Sequence, residues 1–302
     1  RVDDIGRETQ RKWVTKGSRS APLAVFFSPT RHLISAFSVL YKGRAFDLNS
    51  AYDGALASIR MDQKVLFDWY RYNHVLAVKS PSRKKLLTEL RKAISTFIPE
   101  ITDIKLVQKP QPRLELMKGK TPLSLNQLSD GEKGIVTLVF DLTRRLSLAN
   151  PKLASPMTKA EAVVMIDEIE LHLHPAWQRK ALQQLSKTFP RVQFIVTTHS
   201  PQVLGEVEGR CIRYLIPKAQ GELDIYTPKH ALGIDSSRIL DELMRTSPRN
   251  KTIGSQLKKL FDTIENEDLA SAKNQLKKLA KKLGEDDADI VRADTLMKFL
   301  ED

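Results

Sequence analysis

Three things are scarce or missing in this chain. It has a single cysteine, Cys211, no apolar run near the ~20 residues that span a bilayer, and no glycine loop of the form G-x-x-x-x-G-K-[ST]. One thiol excludes any disulfide within the chain and points to a reducing compartment. Cys211 lies in the apolar run CIRYLI and reads as a small core residue. With neither a signal peptide nor a membrane span, the expected location is the cytoplasm, and no membrane partner is expected. The one G-K-T triplet, Gly119-Lys120-Thr121, has Leu114 where a phosphate loop needs its first glycine. It also follows an alternating strand pattern, so it reads as a hairpin turn. Residue 1 is Arg1, and a phosphate loop, if there is one, is expected before it.

What is present is a globular composition. Of the 302 residues, 41% are hydrophobic and 28% charged, enough apolar material for one large domain or two ordinary ones. The net charge of +13 is uneven: residues 1–125 carry 23 basic against 11 acidic side chains, residues 126–232 carry 13 against 11, and residues 233–302 carry 13 against 14. A polyanionic partner, nucleic acid above all, would therefore be steered to the first 125 residues.

Along the chain, LAVFFS (23–28) reads as a buried strand ending in a loop with Thr30 and Arg31. Two helices follow. Leu66, Trp69, Tyr70 and Asn73 share a face of the first, and Leu86, Leu87, Leu90, Ile94 and Phe97 share a face of the second, which Pro99 stops. They form a helical insertion at about 50–100. The aromatic-basic run FDWYRYNH falls at core spacing, leaving Arg71 as a surface candidate for stacking on bases. From Ala162 the order is strand, helix, strand: AVVMIDE, then Pro175 to Phe189 with Trp177, Ala181, Leu182 and Leu185 inward, then VQFIVTTHS. Uninterrupted apolar strands joined by a helix predict a parallel sheet covered on both faces, with ligands at the carboxyl ends of its strands. A hairpin of CIRYLI with LDIYT precedes a helical tail in which Leu257, Leu260, Phe261 and Ile264, then Leu276, Leu279 and Leu283, recur at helical spacing. The lysine pairs 277–278 and 281–282 read as a solvated face, with the apolar face opposite them open to a partner.

The chemistry-bearing residues occur in one order. Ser129, Asp130, Gly131 and Glu132 open an amphipathic helix whose N-terminal N–H groups can receive an anion. Asp167 and Glu168 end one apolar strand, and His199 follows the next. A strand-end aspartate can hold Mg²⁺, an adjacent glutamate can orient or deprotonate a water, and an imidazole can hydrogen-bond a terminal phosphate. The H-x-H pair His172 and His174 lacks a second cluster to complete a zinc site.

These motifs carry a resemblance. LSDGE resembles the signature motif of ABC-type ATPases, VVMIDE their Walker B strand, LHLHP their D-loop region and FIVTTHS their switch-histidine strand. The forms DEIELHLHP and TTHSPQVL are similar to the RecF/SMC-like branch. SLNQLSDGEKG and DSSRILDELM look most like PtuA-type ATPases of Septu and retron anti-phage defence. The resemblance implies an α/β ATPase head with a parallel-sheet core over residues 1–232, and a helical partner-docking region over 233–302. It implies ATP and Mg²⁺ as cofactors, with Asp167 on the metal and Glu168 and His199 as catalytic residues. Ser129 and Gly131 would approach the γ-phosphate held by the other subunit of a dimer or higher oligomer. Asp130 stands where a second glycine is commoner. Partners implied are a separately encoded HNH nuclease of the PtuB kind and a retron reverse transcriptase with its RNA–DNA hybrid. A stand-alone RecF/SMC-like repair ATPase and a non-hydrolysing scaffold are the alternatives. No second apolar strand ending in an acidic cluster follows His199, so an appended Toprim nuclease is not expected on this stretch.

Overall fold

The computed structural model describes residues 23–29, 46–57, 63–108, 113–218 and 221–301. The chain divides into two compact units. The first runs to Cys211 and includes Ala231–Gly233, and the second comprises Ile212–His230 and the residues from Ile234 onward. The expected loop at Thr30 and Arg31 lies outside the described residues.

Among the described residues, the first unit holds β1 (Leu23–Phe27), β2 (Ile101–Val107), β3 (Arg113–Lys118), β4 (Thr121–Ser124), β5 (Ala162–Ile166) and β6 (Val192–Val196). β1, β5 and β6 form a parallel sheet in that order, with Phe27 beside Ile166 and Ile166 beside Val196. The in-register apolar residues Leu23, Val25, Phe27, Ala162, Val164 and Ile166 are buried on one face. The other face is half-buried on β1 and β5 and exposed on β6 at Gln193 and Ile195. Cover on both faces is thus not found among the described residues, because an apolar run encodes a tendency to be buried and not the element that covers it. β2, β3 and β4 form an antiparallel meander, and Gly119 turns β3 into β4 at φ +60°. The G-K-T triplet therefore sits in a hairpin rather than between a strand and a helix, as its alternating context predicts.

Helices Gln63–Ala77 and Pro81–Phe97 bury the faces expected of them, with Trp69, Tyr70, Leu90 and Ile94 nearly inaccessible. Trp69 meets Phe140 edge-on, 5.6 Å between centroids, docking the pair against the long helix Asp130–Ala149. Arg71 is exposed, as its helical position predicts.

That long helix carries a buried ion cluster that hydrophobic periodicity does not reveal. Asp141, 1% exposed, accepts from Arg144 Nε at 2.8 Å and from Arg145 Nε at 2.8 Å. The guanidiniums pass on to the carbonyls of Ser50 (3.1 Å), Ala51 (2.7 Å) and Asp53 (3.0 Å), tying down the short helix Asn49–Tyr52. Burial pushes the Asp141 pKa up, but Arg145 and Arg144 outweigh it and the net shift is downward.

In the second unit, β7 (Tyr214–Pro217) pairs with β8 (Leu223–Tyr226) as an antiparallel hairpin. Helices Lys251–Glu265, Leu269–Leu283 and Ala288–Glu301 share a separate core built on Leu257, Leu260, Ile264, Leu279, Ile290 and Met297. Lys277, Lys278, Lys281 and Lys282 are solvated as expected. The apolar face opposite them is not open to a partner: Ala272, Leu276 and Leu279 pack into this internal core. The sequence pattern marks that face as apolar without saying that the following helix, Ala288–Glu301, fills it. Cys211 is exposed rather than buried, because the strand of CIRYLI begins only at Tyr214 and Cys211 ends a short 3-10 turn.

Candidate functional site

β5 and β6 run parallel, so the residues after them emerge at one edge of the sheet. The Asp167 N–H donates to the Phe27 carbonyl at 2.9 Å, and the Thr197 N–H to the Ile166 carbonyl at 3.0 Å, continuing the ladder past the strand ends. Thr197 joins the two ends through its hydroxyl, which donates to Asp167 Oδ1 and accepts from the Glu168 N–H at 2.9 Å. Asp167 and Glu168 are half-buried and His199 is exposed. Glu168 has φ +47°, in the left-handed region, which starts the chain into a tight turn. The N–H of Leu171 closes that turn on the Glu168 carbonyl (3.0 Å), and the N–H of Leu173 follows on Glu170 (2.9 Å).

The turn carries a contact that motif reading does not foresee. Glu170 Oε1 accepts the His199 backbone N–H at 2.5 Å, so the Walker B-like turn holds the switch-like segment directly. Ser200 adds a second anchor through Oγ to Gln178 Oε1 at 2.7 Å.

The start of helix Asp130–Ala149 is a reciprocal capping box. Ser129 Oγ accepts from the Glu132 N–H at 3.4 Å, while Glu132 Oε2 accepts from the Ser129 N–H (2.9 Å) and hydroxyl (2.8 Å). Lys118 Nζ, from β3, pairs with Glu132 Oε1 at 2.6 Å. Burial raises the Glu132 pKa, but Lys118 and Ser129 outweigh it and the net direction is down, while Lys118 is raised by its bond to Glu132. The Ser129 hydroxyl proton is thus directed at Glu132. Lys118 had no signal in the sequence, because its link to Glu132 depends on the meander folding back. Asp130 faces Lys133 Nζ at 3.2 Å, a cation that offsets its charge at the helix start.

Gly131 is fitted against the loop that follows β5. A Cβ there would meet the His172 carbonyl oxygen at 2.4 Å, and His172 itself is held at φ +61°. Within one subunit the signature-like helix therefore abuts the D-loop-like segment. Gly131→Ala should displace that segment and destabilise the fold by about 1–3 kcal/mol despite the better helix propensity of alanine. Thermal unfolding checks this, and an unchanged or raised midpoint would show that the loop yields freely.

His174 Nδ1 accepts the Ala176 N–H at 3.2 Å as the N-cap of helix Pro175–Thr188, which occupies one nitrogen of the H-x-H pair. Among the described residues, no group of three or more His, Cys, Asp or Glu side chains could hold a metal ion. A lone strand-end carboxylate suits Mg²⁺, which keeps its waters and takes remaining ligands from phosphate oxygens, and does not suit a protein-caged metal.

Residues 11–205, about two thirds of the chain, match the family model described as "AAA domain, putative AbiEii toxin, Type IV TA system". The chain belongs to this family. The retron Ec83 probable ATPase of Escherichia coli is 40% identical over 167 residues, covering 55% of this chain and 29% of that protein. The Septu protein PtuA of Bacillus mycoides (strain KBAB4) is 35% identical over 124 residues, covering 40% of this chain and 16% of that protein. These relatives bear out the resemblance read from SLNQLSDGEKG and DSSRILDELM. The chain spans less than a third of the length of either relative. The SMC head domain from Thermotoga maritima superposes with a TM-score of 0.34 at 18% identity, over 53% of this chain and 52% of that one. Among the described residues, no helix is long and apolar enough to cross a membrane.

Proposed function

We propose that this chain is part of an ATP-hydrolysing regulator in an anti-phage defence complex, controlling a separately encoded HNH nuclease of the PtuB kind. The observation that carries the reading is the shared carboxyl edge of β5 and β6, where Thr197 joins Asp167 to Glu168 and Glu170 holds the His199 main chain. Relatives named as a retron probable ATPase and as a Septu protein support it.

In this reading Asp167 and phosphate oxygens would hold Mg²⁺, which neutralises phosphate charge when bound. Glu168 orients the attacking water and accepts its proton on the side-chain carboxylate. His199 hydrogen-bonds the terminal phosphate, and its exposed position leaves that phosphate to be enclosed by a second subunit. Gly131 and the helix start at Ser129 and Asp130 supply N–H groups to the nucleotide across that interface. Ser129 does so by exchanging its bond to Glu132 for one to phosphate. Two states of such a dimer can bias a bound nuclease only by contacting it differently, and the helical unit from residue 234 onward is the proposed contact. Co-expression of the complete protein with its neighbouring genes tests this. Recovery of a nuclease supports the reading, and its absence, with defence unaffected by deleting 250–302, refutes it.

The nucleic acid expected of the basic first 125 residues is assigned to the loop and helix start around 79–85. Lys84 and Lys85 are exposed, whereas Arg83 is half-buried and donates to Asn73 Oδ1 at 2.7 Å. Charge reversal at Lys84 and Lys85, sparing Arg83, should weaken binding for all sequences alike. It should also lower the salt slope by about one for each phosphate that is no longer neutralised. Binding that is unaltered, or independent of salt, would contradict this.

A further inference from the structure

We propose that Glu170 is a positioning residue that fixes the main chain of His199 and so aims its imidazole. The proposal rests on the ATPase reading above and adds to it a role for Glu170, a member of DEIELHLHP to which the motif reading gives none. Glu170 lies beyond the two carboxylates at the end of β5, on a turn anchored from both sides. The buried Ile169 donates its N–H to the Thr197 carbonyl at 3.1 Å, and the Glu170 carbonyl accepts from Leu173 at 2.9 Å. From this fixed base the side chain crosses to the neighbouring strand end, and Oε1 takes the His199 N–H at 2.5 Å.

The other oxygen shows what the group is for. Among the described residues Glu170 Oε2 is buried without a hydrogen-bond partner. A buried acceptor left unsatisfied is costly, so a residue selected only to staple two loops would be served better by a neutral side chain. A carboxylate gives the amide a charge-assisted bond, stronger and more directional than a neutral acceptor gives. Thr197 and Ser200 are tied on either side of His199, and Glu170 supplies the tie to the residue itself. Without it, the peptide between Thr198 and His199 can rotate and the imidazole no longer points to one place.

The test uses the complete protein with Glu170→Ala, Glu170→Gln and, as a reference without the basic carboxylate, Glu168→Gln. Glu170→Ala should lower turnover at saturating ATP about tenfold or more, with affinity for a fluorescent ATP analogue within about twofold of wild type. Glu170→Gln keeps an acceptor but loses the charge-assisted bond, and its turnover should fall between those of the wild type and the alanine variant. Hydrogen exchange at the His199 amide should accelerate about tenfold or more in the alanine variant and by less in the glutamine variant. Where alanine fails to fold, Glu170→Met, of similar volume and with no oxygen, takes its place. Wild-type turnover in the alanine or methionine variant, or equal loss in Ala and Gln, overturns the proposal. If wild-type protein hydrolyses no more ATP than Glu168→Gln, the ATPase reading falls. The exchange measurement then decides on Glu170 alone, unchanged protection at His199 counting against it.

Discussion

Glu168→Gln in the complete protein is expected to lower ATP turnover by about 10²–10⁴-fold while nucleotide still binds. The substitution is nearly isosteric, and the features that position the residue lie in its main chain: the N–H bonded to Thr197 Oγ1 at 2.9 Å and the φ of +47° that opens the turn. Neither requires the carboxylate. What glutamine removes is the basicity that accepts a proton from the attacking water, so the loss should fall on kcat and leave affinity nearly unchanged. Phosphate release at saturating ATP, beside equilibrium binding of a nucleotide analogue, checks both halves. Turnover within a few-fold of wild type would remove Glu168 from the proton-accepting role.

The largest stability effect is expected at Asp141. Asp141→Ala leaves Arg144 and Arg145, 4% and 6% exposed, as buried cations without their counter-ion. Breaking such a pair from one side costs about 3–5 kcal/mol, several times the median for an exposed ion pair. The consequence spreads, since the same guanidiniums bond the carbonyls of Ser50, Ala51 and Asp53. At about 2–4 °C per kcal/mol, the thermal midpoint should fall by roughly 6–20 °C. Acid should mimic the substitution in part. The folded-state pKa of Asp141 is below its unfolded value, so its contribution is fully present above the unfolded pKa and is lost as pH falls through the folded one. Glu132, shifted the same way, adds to that acid sensitivity. In Asp141→Ala the acid-dependent part belonging to Asp141 should be absent, and a stability–pH curve matching wild type in shape would contradict the assignment.

The readable parts of this fold are those set by periodic burial. Leu66, Trp69, Tyr70 and Asn73 recur at helical spacing and lie buried together, and AVVMI and VQFIV are apolar runs that become neighbouring parallel strands. Asp167, Glu168 and His199 could be placed at one sheet edge because each follows such a strand. The ties among them were not readable. Thr197 and Glu170 make these ties across from one strand end to the next, as Lys118 reaches Glu132 from the meander, and a threonine, glutamate or lysine has no local pattern that announces its partner. The Asp141–Arg144–Arg145 spacing does resemble an ordinary exposed helix triplet. Its burial depends on the Asn49–Tyr52 helix arriving above it. Cys211 misled in the opposite direction, since an apolar run raises the odds of burial for each member without fixing where the strand begins.

Equilibrium sedimentation of the complete Glu168→Gln protein, with and without ATP and Mg²⁺, tests the composite site most directly. A site completed by the Ser129–Gly131 helix start of a second subunit predicts that nucleotide shifts the protein to a dimer or a larger even assembly, and that Gly131→Ala weakens the shift. A strict monomer at saturating ATP, with nucleotide bound, would contradict it.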